Sequence, residues 1–198
     1  MQSIGVSPAA STAPPPGPDG GRSRPFNPAT HYSPHFSRAE ILRPLPGEPN
    51  APTTAAEMEL THLCQTLAED ARTVLGVPMV VTSGYRGAER ERRVQEGAGM
   101  IPRGAPLRGS QHMKGQALDF LTPALPLWQA YEALAFSPLQ YDQLLFETYL
   151  RADGSRSCWI HISCAPSTRP PRRQAAAITE TAPWIPYTPG LARSIQGV

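Results

Sequence analysis

The chain has 198 residues, 40% of them hydrophobic, and a formal charge of +2. That length suits one domain with tails, and so small a charge argues against nucleic acid or a membrane surface as partner. No apolar run reaches the ~18 residues of a membrane helix, and three cysteines with no CxxC pair give no disulfide framework, which fits a reduced cytosolic origin.

Seventeen arginines accompany one lysine, scattered apart from "ERERR" and "RPPRR", so no nucleic-acid partner is expected. The amino terminus lacks a basic start followed by an apolar core, so no secretion signal is expected either. Twelve of the 24 prolines fall in the first 52 residues. Residues 1–30 are a Pro/Gly/Ser/Ala mixture that cannot bury enough apolar surface to offset its ordering entropy, and they read as an extended arm.

The domain is expected over residues 31–178. In "HYSPHFSRAEIL", Ser37 followed by Glu40 has capping-box spacing, which predicts a short helix from Arg38. "RPLPGEPNAP" breaks it. Residues 56–75 carry Met58, Leu60, Leu63, Leu67, Ala71, Val74 and Leu75 at helical spacing, and Gly76 is the stop. "VPMVVTSGYR" reads as a strand, "GAERERRVQEG" as a helix of about two turns, and "AGMIPRGAPLRG" as a loop. "QALDF" is the second strand. "LPLWQAYEALAF" is a helix with Leu127, Ala130, Tyr131 and Leu134 on one side. "YDQLLFETYL" and "SCWIHISCA" form a hairpin around Asp153-Gly154. One helical turn is expected near residues 173–178, and residues 179–198 read as a proline-rich wrap. The sum is an α+β domain whose small, mostly antiparallel sheet of about four strands has helices on one face.

Alternation decides which way the chemistry points. In "QALDF", Asp119 lies with Ala117, while Leu118 and Phe120 turn to the core. In "WIHIS", His161 lies with Trp159 and Ser163, opposite Ile160 and Ile162. His112, just upstream of its strand, can fold over the same surface. Two histidines and one carboxylate suit Zn²⁺ and leave a fourth position open. His31, His35 and His62 read as structural.

"SGYR" after an apolar strand, then "SQHMKGQALDF", "YDQLLFE" and "WIHIS" in that order, resembles the zinc D-Ala-D-Ala carboxypeptidase family, which shares its fold with the hedgehog amino-terminal signalling domain. Ser110, His112, Gly115, Ala117 and Asp119 match that family's first metal motif, SxHxxGxAxD. The likeness covers about residues 33–178. It implies a hedgehog/DD-peptidase fold, His112, Asp119 and His161 as zinc ligands, and Arg86 and Ser110 as substrate-binding residues, Arg86 also assisting catalysis. Many members place the general base three residues before the last histidine, where this chain has Cys158. The phage and hedgehog-like members place it at the end of DQLxxE, which here is Glu147. Its separation of 14 residues from His161 implies a lengthened hairpin. Asp142 is expected to help orient a ligand histidine.

The implied activity is zinc-dependent hydrolysis of peptide bonds in peptidoglycan stem peptides. The setting would be a phage endolysin, present in the host cytoplasm before lysis, or a virion-borne enzyme. The alternative is a structural virion protein that keeps the fold with little catalysis and whose arm contacts other virion proteins.

Overall fold

The computed structural model describes residues 26–44, 48, 50–151, 153–166 and 168–196. The arm expected over residues 1–30 lies outside the described residues up to position 25.

A two-stranded ribbon opens the domain, β1 (His31–Ser33) against β2 (Phe36–Ser37). Ser37 then caps α1 (Arg38–Leu42), its Oγ accepting the Glu40 N–H at 3.1 Å. The Glu40 carboxylate does not complete the capping box; it accepts the Val81 N–H instead, tying α1 to the edge of the main sheet. Thr53 caps α2 (Thr54–Leu63). That helix runs through a π-helical turn at Cys64–Ala68 into α3 (Glu69–Leu75), and Gly76 ends it at φ 64°. The buried stripe is Ala56, Leu60, Leu63, Leu67, Ala71 and Leu75, whereas Met58 and Val74 are exposed. The π turn inserts extra residues into the winding and rephases the stripe, which an unbroken 3.6-residue period does not anticipate.

The main sheet has six strands: β3 (Val80–Ser83), β4 (Ala117–Leu121), β5 (Gln143–Leu150), β6 (Arg156–Ser163), β7 (Gln174–Ile178) and β8 (Ile185–Pro186). Their order is β3-β4-β6-β5-β7-β8, with β5 and β7 parallel and the other neighbours antiparallel. Leu118, Phe120, Leu144, Phe146, Ile160 and Ile162 are fully buried on one face. Their core also takes in α2, α3 and α5 (Leu127–Phe136). Burying each such side chain is worth roughly 1.5–3 kcal/mol.

The expected sheet of about four strands is therefore corrected to a mixed sheet of six, with the small ribbon besides. The helical turn expected near residues 173–178 is strand β7. Its "QAAAI" has no visible two-residue alternation, and alanine is a weak strand former. Pairing along β5, from Gln143↔Gln174 to Glu147↔Ile178, overrides that local preference. The proline-rich wrap supplies β8 and ends in α6 (Leu191–Gln196), whose Ala192 is buried. Tyr187 in between donates to Glu132 of α5 at 2.6 Å.

Candidate metal centre

The second face of the sheet carries the polar cluster, and glycines bring the loops to it. Gly84 follows β3, where a Cβ would drive into the Ile41 carbonyl of α1. Gly115 has φ 74°, and a Cβ there would strike the Ala56 carbonyl and the Leu60 side chain of α2. Only glycine lets the turn at residues 111–115 press against the helix. That turn lays His112 over the sheet.

Asp119 and His161 are direct partners across β4 and β6, so both side chains leave the same face. Asp119 Oδ1 lies 2.9 Å from His161 Nδ1 and 3.2 Å from His112 Nε2, and the two ring nitrogens are 3.2 Å apart. All three residues are buried. His112 Nδ1 is 2.7 Å from the Gly84 carbonyl oxygen, which can only accept, so Nδ1 carries the hydrogen and Nε2 presents a lone pair to the cluster. A lone pair therefore faces a carboxylate oxygen across 3.2 Å in a dry site. Only a cation or a shared proton satisfies both, and the donor set fits a metal ion.

Proton affinities follow from the same geometry. Burial pushes His112 down. It also pushes His161 down, but the Asp119 hydrogen bond and the charges of Asp119 and Glu147 outweigh it and the net shift is upward. Burial opposes the ionised Asp119, yet the two histidines that converge on it hold it well below the usual carboxylate range.

Around this cluster Arg86 is already engaged. One terminal nitrogen donates to Asp119 Oδ2 at 3.1 Å and the other to Glu91 Oε2 at 3.2 Å. Its Nε has no partner and is buried. Glu91 in turn accepts from Gln95, whose amide holds both backbone groups of Arg108. The helix α4 (Ala88–Gly97) thus secures both the arginine behind Asp119 and the loop leading to His112. The guanidinium fork expected to meet substrate is turned largely toward Asp119.

Glu147 stands opposite Trp159, not His161, whose own partner on β5 is Leu145. Two residues along a strand return to the same face, so Glu147, Trp159 and His161 all share the metal side. The register holds through the longer hairpin, which turns at Asp153 and Gly154. Burial, with the charge of Asp119, pushes Glu147 up to about 7 against the pull of His161 and Arg86. Cys158, an odd number of residues from His161, packs beside the apolar core on the other face. It cannot stand in for the base.

Asp142 does not touch either histidine. It is fully buried and accepts from Gln111 Nε2 at 3.0 Å, Arg169 Nη2 at 2.8 Å and Arg172 Nη2 at 2.5 Å. Its link to His112 runs through the neighbouring Gln111. Ser110 is half-buried in the same loop.

Glu91, Gln95 and the Gly84 carbonyl were not singled out by the sequence. A signal existed for the first two: "ERERRVQEG" has no apolar stripe, so a buried face on that helix has to be polar, and the pair sits four residues apart.

A search of curated proteins found no match, and neither did a search of solved structures. The family profile described as Peptidase M15 matches residues 34–162, which contain the His112–Asp119–His161 cluster, Glu147 and Arg86. With the matched segment spanning more than half of its length and the metal-capable cluster inside it, the chain belongs to the peptidase M15 family.

Proposed function

We propose that this chain is a zinc metallopeptidase that hydrolyses peptide bonds in the stem peptides of bacterial peptidoglycan, in a phage-associated setting. The observation that carries the peptidase reading is the sheet register. It places a half-buried carboxylate with raised proton affinity, Glu147, on the same face as the converging His112, Asp119 and His161. Zinc is favoured by the donor set, two imidazoles and one carboxylate with a fourth position open. The wall substrate rests on the motif likeness.

When bound, zinc would supply Lewis acidity to the scissile carbonyl and to the attacking water. Glu147 takes the proton from that water, and a proton affinity near neutrality suits a base that must release the proton again to the leaving amine. Arg86 holds Asp119 in its ligand rotamer through Nη2, and its partnerless Nε–H is among the donors left for a substrate carboxylate or carbonyl. Ser110, at the edge of the His112 turn, lines the substrate approach. Asp142 fixes that turn through Gln111.

The test is metal analysis of the purified protein together with release of stem-peptide fragments from peptidoglycan. Stoichiometric zinc, with hydrolysis abolished in Glu147→Gln while zinc is retained, establishes the reading. Zinc retained with no hydrolysis by the unmutated protein on any stem peptide overturns the peptidase assignment.

A further inference from the structure

Two buried side-chain donors, Arg86 Nε and Trp159 Nε1, have no hydrogen-bond partner among the described residues. A buried N–H that gives up water without gaining an acceptor is costly, so such a group points to a partner that arrives or closes in. Arg86 Nε belongs to the substrate reading above. Trp159 has no such assignment.

Its place in the sheet narrows the acceptor. Trp159 is the direct cross-strand partner of Glu147 in the β5–β6 pair. On one face, antiparallel partners hold their Cβ atoms about 4.5–5.5 Å apart, within reach of a long carboxylate side chain. The other neighbours it could meet on that face are Leu145, which has no polar atom, His161, which is turned to Asp119, and Ser157 and Tyr149 toward the hairpin tip. We propose that Trp159 is the positioning residue for Glu147: its indole N–H closes a hydrogen bond to one carboxylate oxygen and leaves the other aimed at the His112–Asp119–His161 cluster.

This arrangement divides the labour of one carboxylate. A glutamate side chain has three rotatable bonds, and a base that swings freely spends most of its time out of line with the water it must deprotonate. Fixing one oxygen to a rigid, strand-borne indole removes that freedom at the cost of a modest loss of basicity. The lengthened hairpin gives the device a reason. A base carried 14 residues ahead of His161 on a long two-stranded arm lacks the anchoring of a short turn, and a cross-strand clamp restores it.

The proposal rests on the peptidase reading for its consequence but not for its contact, and the experiment separates the two. The chain has three tryptophans, so a ¹⁵N–¹H spectrum shows three indole resonances, and Trp159→Phe identifies one by its loss. In Glu147→Ala, the Trp159 resonance moves upfield while those of Trp128 and Trp184 stay in place. An unmoved resonance overturns the proposal whether or not the protein hydrolyses anything. In kinetics, Trp159→Phe retains zinc and KM and loses about ten- to a hundred-fold in kcat. A raised KM with kcat held overturns it in favour of an indole that meets substrate. A resonance that moves in a protein with no hydrolytic activity keeps the contact and removes the peptidase.

Discussion

Two buried aspartates, Asp119 in β4 and Asp142 just ahead of β5, do opposite things. Both have carboxyls held well below the usual carboxylate range, and both accept from arginine. Asp142 is saturated by donors: Gln111, Arg169 and Arg172 present N–H groups to its two oxygens, and Arg172 adds its backbone N–H. Asp119 has one oxygen on Arg86, and its other oxygen faces the two histidine nitrogens, one of them a lone pair. A buried carboxylate surrounded by hydrogens is a staple. One that converges with other lone pairs is placed to hold a cation. Burial and charge alone do not tell them apart; the hydrogen count does.

The sharpest way to break that contrast is to remove each member in turn. Asp119→Ala or His161→Ala is expected to abolish metal binding and hydrolysis, read by metal analysis and fragment release, while Asp142→Asn leaves metal content near that of the parent. If Asp142→Asn loses the metal as completely, the two carboxylates are not different in kind.

Next in size is Gly115→Ala, which strikes the turn shared by both aspartates, since Gln111 reaches Asp142 and His112 reaches Asp119. The strained φ alone costs about 1–3 kcal/mol, before the clash with α2. The melting temperature should fall by several degrees, and metal affinity should fall with it because His112 is displaced.

Asp142→Asn itself should destabilise by on the order of 2 kcal/mol, less than a fully buried pair because Arg169 and Arg172 are partly exposed. Acid titration gives its sign. The folded carboxyl lies below the unfolded value of about 3.9, so its contribution is complete above that pH and is lost as pH falls toward the folded value. Stability measured from pH 6 downward should therefore fall more steeply in the parent than in Asp142→Asn.

The smallest effect is Gln111→Ala. It removes a single neutral donor from an otherwise satisfied carboxylate and should cost roughly 1 kcal/mol. Comparable damage to metal affinity would show that Asp142 governs His112 more tightly than one amide link implies.

The sequence disclosed these two aspartates unequally. Asp119 was legible because "QALDF" and "WIHIS" alternate cleanly, so faces could be assigned before any pairing was known. Strand register was not legible, and it is what puts Glu147 opposite Trp159 and beside the polar cluster. The partners of Asp142 arrive from Arg169 and Arg172 of "RPPRR", a cluster visible in the sequence that does not say which carboxylate it meets. For the same reason β7 was unreadable: its three alanines carry no two-residue alternation, and only a distant neighbour makes them a strand. Local chemistry survived reading from sequence, and long-range partnership did not.

The parallel seating of β7 beside β5 has a consequence for biogenesis. The metal-face residues are all synthesised by residue 161, yet one flank of the Gln143–Leu150 strand stays unpaired until residue 174 and beyond have emerged. During that interval the nascent chain displays a row of unsatisfied amides and carbonyls next to apolar side chains, which is the template on which chains pair with one another. The alanine-rich strand and the tail behind it are the domain's late-arriving guard, closing off self-association once the chemistry is already in place.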